Sequence, residues 1–308
     1  MPASRIAFST PPDSPRWLRW LVFSPAARIV FFAAMLIGFS LLAQAFVVAL
    51  GWLGQPGSPL PHALGSLSVR LLPALIGYLI LVKLIEQRRV DELSPRDMPR
   101  YGVAGLVIGA LVISLVVAVL WLAGSYHVSG TNPQVDWLPA VLVVGIGAGI
   151  GEEIVMRGVL FRIIEEGLGT WWALVISALF FGAAHIANPA ATVWSSAAIA
   201  IEAGVLLALL YAVTRSLWAC IGLHAAWNIM QGTVYGIPVS GGKVDGWLVS
   251  QRTGPDWLSG GAFGAEASVV ALAVSVLLSI ALLLVARRRG LIVPFRFAPW
   301  HRKPLARN

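Results

Sequence analysis

Trp137-Leu-Pro-Ala-Val-Leu-Val-Val-Gly-Ile-Gly-Ala-Gly-Ile-Gly-Glu-Glu-Ile-Val-Met-Arg157 decides the fold. The run holds no ionisable group as far as Gly151, and then Glu152, Glu153 and Arg157 arrive together. A membrane-spanning helix needs about 20 mostly apolar residues, and the chain repeats such runs along most of its length. Clean ones cover 29–53, 67–85, 102–123, 171–187, 197–213 and 263–286. Two are less regular: the run from Trp137, which turns charged, and 216–235, which carries His224 and Asn228. These runs predict an all-α fold: a polytopic membrane helix bundle of about eight transmembrane helices, with the site inside the bundle.

Composition agrees. The 308 residues are 58% hydrophobic and only 12% charged, with a mean hydropathy of +0.81. A soluble domain carries roughly 25% charged residues, so this chain lacks the charge to cover a water-facing surface. Soluble enzymes and free nucleic-acid binders are excluded. The net charge of +8, from 22 Lys and Arg against 14 Asp and Glu, reads as loops facing anionic lipid and not as a nucleic-acid surface. The single cysteine, Cys220, lies in an apolar run. It rules out an intrachain disulfide framework and a Cys-rich metal site, and reads as a small core side chain.

Basic loops stay on the cytoplasmic side of a membrane. Arg5, Arg16, Arg19 and Arg28 precede the first run; Lys83, Arg88, Arg89, Arg96 and Arg100 end or follow the second. Arg157 and Arg162 follow the fourth, Arg215 the sixth, and Arg287, Arg288, Arg289, Arg296, Arg302, Lys303 and Arg307 the eighth. The intervening loops 54–66, 124–136 and 188–196 have none, and 236–261 has only Lys243 and Arg252. The expected placement is an integral protein of a bacterial plasma membrane, a source suggested by the Ala, Gly, Arg and Trp-rich composition, with both termini cytoplasmic. Ala43-Gln44-Ala45 resembles a signal-peptide cleavage site, but the apolar run continues to Leu53, which reads as a retained anchor.

The chain divides into a cytoplasmic segment 1–28, N-terminal transmembrane helices 29–136, a core 137–235, a loop and last helix 236–286, and a basic tail 287–308. The stretch 86–100 reads as a short solvated linker. Segments 54–59 and 240–261 read as turn-rich loops.

Ionisable groups within membrane helices cost several kcal/mol each and mark function by default. Glu153 and Arg157 stand four apart and pair on a helix. Glu152, about 100° away around the helix, is left without an obvious local partner. Phe181-Gly-Ala-Ala-His185 sets an aromatic one turn before an imidazole, and His224-Ala-Ala-Trp-Asn228 gives one helical face an imidazole and an amide. A hairpin near Leu168 puts Glu152 and His185 each roughly 25 Å from the turn, at one depth. Taken singly, either histidine reads equally well as a hydrogen bond between helices.

These motifs, E-E-x-x-x-R at 152–157, F-x-x-x-H at 181–185 and H-x-x-x-N at 224–228, resemble in type and order those of the CPBP family, the intramembrane CAAX-type proteases also called abortive-infection proteins. The resemblance covers 137–235. It implies an intramembrane endopeptidase whose site lies within the bilayer and opens to the cytosol. Glu152 would activate the attacking water, with His185 beside it, and His224 and Asn228 would donate to the oxyanion. Arg157 would hold Glu153, and Phe181 would fix the rotamer of His185. The partners expected are the lipid bilayer and a peptide or protein substrate, lipidated or membrane-anchored; eukaryotic members act on prenylated C-termini. No cofactor is implied.

Two other readings stay open on the residues alone. One is a zinc protease with Glu152, His185 and His224 as ligands and water in the fourth position. The other is a non-catalytic transporter, immunity factor or assembly factor. Glu202 belongs to no motif and either faces the same polar cavity or pairs with Arg70.

Overall fold

The computed structural model describes residues 7–52 and 59–295. Its helices run up and down in chain order: α1 (Pro25–Ala49), α2 (Leu60–Ile85), α3 (Met98–Leu122), α4 (Trp137–Leu168), α5 (Thr170–His185), α6 (Val193–Thr214), α7 (Leu217–Asn228) and α8 (Val269–Arg288). The all-α polytopic bundle is therefore present. Among the described residues, six helices are long and apolar enough to span, not the eight expected. Helix α5 has 16 residues, about 24 Å at 1.5 Å per residue. Helix α7 continues through a π-helical turn, Ile229–Val234, and His224, Asn228 and Gln231 make it too polar.

Local chemistry sets the helix ends and corrects several boundaries. Ser24 caps α1 by accepting from Ala27 N, with Pro25 at the first position, so the helix starts ahead of residue 29. Thr192 and Ser195 form a capping box that starts α6. Ser268 caps α8 through Ala271 N, leaving Phe263 and Glu266 outside it in a turn. Helix α4 runs unbroken to Leu168; Arg157 and Arg162, expected beyond its end, lie buried within it. Gly169, at φ 88°, makes the reversal into α5, and a side chain there would meet Val293 O at 2.7 Å. Two supposed loops pair as an antiparallel ribbon, β1 (Tyr126–Thr131) with β2 (Leu248–Arg252). Arg5, residues 54–58, Arg296, Arg302, Lys303 and Arg307 fall outside the described residues.

Helix α4 sits among α2, α5, α6 and α7, while α3 packs on α7 and α8, and α1 lies outside against α2. Small residues bring these backbones together, as membrane helix packing favours. A Cβ on Gly105 would stand 2.4 Å from Ala219 O, and one on Gly109 2.4 Å from Leu223 O. A Cβ on Gly149 would be 3.2 Å from Ala225 N, so α4 also presses against α7, next to His224. Ile37, Leu41, Leu42 and Phe46 of α1 are exposed, as a lipid-facing helix requires.

The stretch after α2 is not the solvated linker expected. Glu86 and Glu92 are buried. Glu86 accepts from Arg28 at 2.6 Å, Arg88 at 2.8 Å and Arg162 at 3.0 Å. Glu166 takes Arg28 at 2.9 Å and Arg162 at 3.1 Å. Glu92 accepts from Arg88 at 2.7 Å and from the Tyr78 hydroxyl at 2.6 Å. Arg215, at the C-terminal end of α6, pairs with Glu165 of α4. Burial alone would raise the Glu86 carboxyl, but the Arg162, Arg28 and Arg88 guanidiniums outweigh it and bring it down to about 2. Several basic residues expected to be free cytoplasmic charges thus tie α1, α2 and α4 together at one end of the bundle.

Candidate active site

Residues Ala148–Glu153 form a regular α-helical turn between two π-helical stretches, Ala140–Gly147 and Ile154–Phe161. Such departures from 3.6-residue periodicity are rare and recur at functional sites. The neighbouring carboxylates consequently face different surroundings. Glu153 is fully buried, and its Oε1 accepts from Arg157 Nη1 at 2.9 Å and His224 Nδ1 at 2.8 Å. Arg157 also donates to the carbonyls of Ala203, at 2.6 Å, and Gly204, at 3.2 Å, and its guanidinium lies 5.0 Å from the Phe181 ring centre. The Glu153–Arg157 pair that the spacing predicts is present, and it fastens α4 to α6 and α7.

Glu152 turns into a cavity, its side chain 35% exposed. Its Oε2 has no protein hydrogen-bond partner. Two imidazoles approach that atom: His185 Nε2 at 3.9 Å and His224 Nε2 at 4.0 Å. Each ring is held by its other nitrogen. His185 Nδ1 lies 2.7 Å from Phe181 O, and His224 Nδ1 meets Glu153. A carbonyl and an ionised carboxylate only accept, so both Nδ1 atoms carry the proton. In the neutral rings both Nε2 lone pairs then point at Glu152. Phe181 further stacks on His185, with ring centres 4.6 Å apart.

Asn228 lines the same cavity. Its Nδ2 donates to Val144 O at 3.0 Å, which leaves the second N–H of the amide. The cavity holds about 570 Å³. The structure thus brings together Glu152, Phe181, His185, His224 and Asn228 on its wall and sets Glu153 and Arg157 behind it. The Gly169 reversal puts α4 and α5 antiparallel, which is how residues 152 and 185 come to one depth. Among the described residues, no three His, Cys, Asp or Glu side chains gather tightly enough to hold a metal ion as they stand.

Glu202 also lines the cavity, and no ion pair joins it to Arg70 among the described residues. Sequence reasoning missed Glu266, which sits on the same wall and was read as part of an apolar helix. The turn before α8 carries it in, where Ser240 and Gln231 bond it. Its one sequence signal is an isolated acid at the start of an apolar run.

Asn188, Pro189, Ser240 and Lys243 rim the cavity. These loops follow α5 and α7, at the opposite end of the bundle from the arginine cluster. Arg70 and Ala184, both exposed, line its flank between α2 and α5.

Residues 134–230 match the family model described as type II CAAX prenyl endopeptidase Rce1-like. That stretch, which contains all three motifs, is similar to this family of CAAX-type proteases over less than half of the chain. No curated protein and no solved structure matches the chain.

Proposed function

We propose that this protein is an intramembrane endopeptidase that hydrolyses a peptide bond with a water activated by Glu152. The observation that carries this reading is the approach of both Nε2 atoms to the unpartnered Glu152 Oε2. Separations near 4 Å leave room for a water between Glu152 Oε2 and His185 Nε2 at ordinary lengths of about 2.8 Å, donating one proton to the carboxylate and the other to the imidazole. Glu152 takes the proton as the water oxygen attacks the scissile carbonyl. The resulting oxyanion is met by the free N–H of Asn228 and by His224. With its Nδ1 proton committed to Glu153, His224 donates through Nε2 only as the imidazolium, whose charge that carboxylate offsets. Collapse of the intermediate breaks the C–N bond, and the departing amine takes the proton from Glu152. His185 holds the water against Glu152.

The substrate is a membrane-anchored or lipidated polypeptide that reaches the cavity past Arg70 and Ala184. With the arginine-rich end on the cytoplasmic side, the cavity mouth faces the other side of the bilayer. This reading keeps the orientation set by the basic residues and departs from the cytosol-facing site that the family resemblance implies.

Zinc is the second reading, because two imidazole lone pairs and a carboxylate are a zinc donor set. Ligands about 2.0–2.2 Å from a tetrahedral ion stand roughly 3.3 Å apart, closer than these atoms, so the water reading is preferred. The test is cleavage of a quenched-fluorescence lipidated-peptide library by purified protein, with Glu152→Ala alongside and a strong chelator added. Loss in the variant and retention with chelator support the proposal. Loss in both moves the assignment to zinc. Cleavage by folded Glu152→Ala protein removes Glu152 from the mechanism.

A further inference from the structure

The water-activating reading leaves two cavity residues unused. Glu202 on α6 is 3% exposed and Glu266 likewise 3%. Both line the cavity with Glu152. Glu202 Oε2 is buried with no hydrogen-bond partner. Glu266 is held in place by neutral donors only: the Ser240 hydroxyl at 2.7 Å, the Ser240 amide, and the Gln231 side chain. Among the described residues no Lys, Arg or His forms an ion pair with either.

An unpartnered carboxylate enclosed by protein is costly while charged, so it either takes up a proton or is met by a group with N–H protons. Of the basic residues nearby, Arg252 of β2 feels the Glu266 charge but forms no ion pair with it, and the others are engaged or placed elsewhere. Arg157 is committed to Glu153 and to two carbonyls of α6, while Arg70 and Lys243 are exposed at the flank and rim. Glu202 feels the charge of Glu266, and Glu266 that of His185; all three line the cavity that holds Glu152. Burial raises the Glu266 carboxyl, and an incoming cation would reverse that.

We infer that Glu202 and Glu266 form a substrate subsite that accepts a cationic side chain, lysine or arginine, close to the scissile bond. Resting on the peptidase reading, this makes the enzyme selective for a basic residue within an otherwise apolar polypeptide. Two carboxylates on one ammonium form charge-assisted bonds, and losing one such bond lowers affinity about ten- to a hundredfold.

The test uses detergent-purified full-length protein and matched lipidated peptides that differ at one scanned position: lysine, acetyl-lysine or norleucine. At one position the lysine peptide is expected to show kcat/KM at least tenfold above both analogues, mainly through KM. Glu202→Gln and Glu266→Gln are expected to bring that ratio toward one. Equal cleavage of the three peptides at every position overturns the subsite, and needs no variant. Binding of the same peptides to Glu152→Gln protein separates the two claims. Lysine-selective binding that Glu202→Gln abolishes upholds the subsite even if nothing is cleaved. Cleavage without lysine selectivity leaves the peptidase standing and removes the subsite.

Discussion

Glu153 accepts the Nδ1 proton of His224 at 2.8 Å, and that bond turns the opposite ring nitrogen toward Glu152. The second carboxylate of the pair therefore acts on the reaction through an imidazole and not on the substrate. The same oxygen takes Arg157, so ring orientation and helix packing depend on one buried group.

Glu153→Gln should lower kcat about ten- to a hundredfold with little change in KM, the range expected when a partner that orients an imidazole is lost. An amide holds the ring but no longer offsets an imidazolium, so the pH–rate profile should lose its limb from His224. A profile of unchanged shape would assign Glu153 a packing role alone.

Asn228→Ala should cost about 10² to 10³ in kcat, the usual loss for one oxyanion donor. Steady-state kinetics on the best library peptide measures it. A loss confined to KM would place the amide on the substrate ground state instead.

Arg157→Ala leaves Glu153 charged and enclosed. Breaking a buried pair from one side costs about 3–5 kcal/mol, so the temperature of half-denaturation in detergent should fall well below wild type. The double variant Arg157→Ala with Glu153→Ala should recover part of the difference.

Gly109→Leu drives a side chain into the Leu223 backbone of α7, where a Cβ would already stand 2.4 Å from the carbonyl oxygen. Separation of α3 from α7 should destabilise the fold and lower activity together, as read by thermal denaturation and peptide cleavage. Gly38→Leu on lipid-facing α1, where nothing lies within 4 Å of the added carbon, is the control expected to do neither.

Acid should weaken the arginine cluster. The Glu86 carboxyl is held at about 2 against an ordinary 4.5, so the folded state favours the charged form. Its contribution is present above pH 4.5 and is lost as pH falls from there toward 2; 2.5 pH units correspond to roughly 3 kcal/mol. Denaturation midpoints measured across that window should fall more steeply for wild type than for Glu86→Gln.

The bundle and much of the cavity were legible in the sequence because helical spacing is local. Residues four apart, as in Phe181 and His185 or His224 and Asn228, share a face whatever the rest of the chain does. Glu266 was not legible, since its place depends on a turn between α7 and α8 that folds back over the cavity. Glu86 looked solvated because two of its partners, Arg28 and Arg162, lie far off in sequence, and Glu92, though paired with the nearby Arg88, is buried beside the same distant Arg162. The β1–β2 ribbon escaped notice for a related reason: each strand is short and finds its mate across 120 or so residues.

The rim loops and the arginine cluster stand at opposite ends of the molecule. With the bundle oriented as proposed, a polar inhibitor supplied outside intact cells would reach Glu152 without crossing the lipid, whereas the arginine end would be shielded from it. Anchoring and chemistry then answer to different compartments: a change in external pH or salt bears directly on turnover, and the cytoplasmic interior buffers the contacts that hold the helices together.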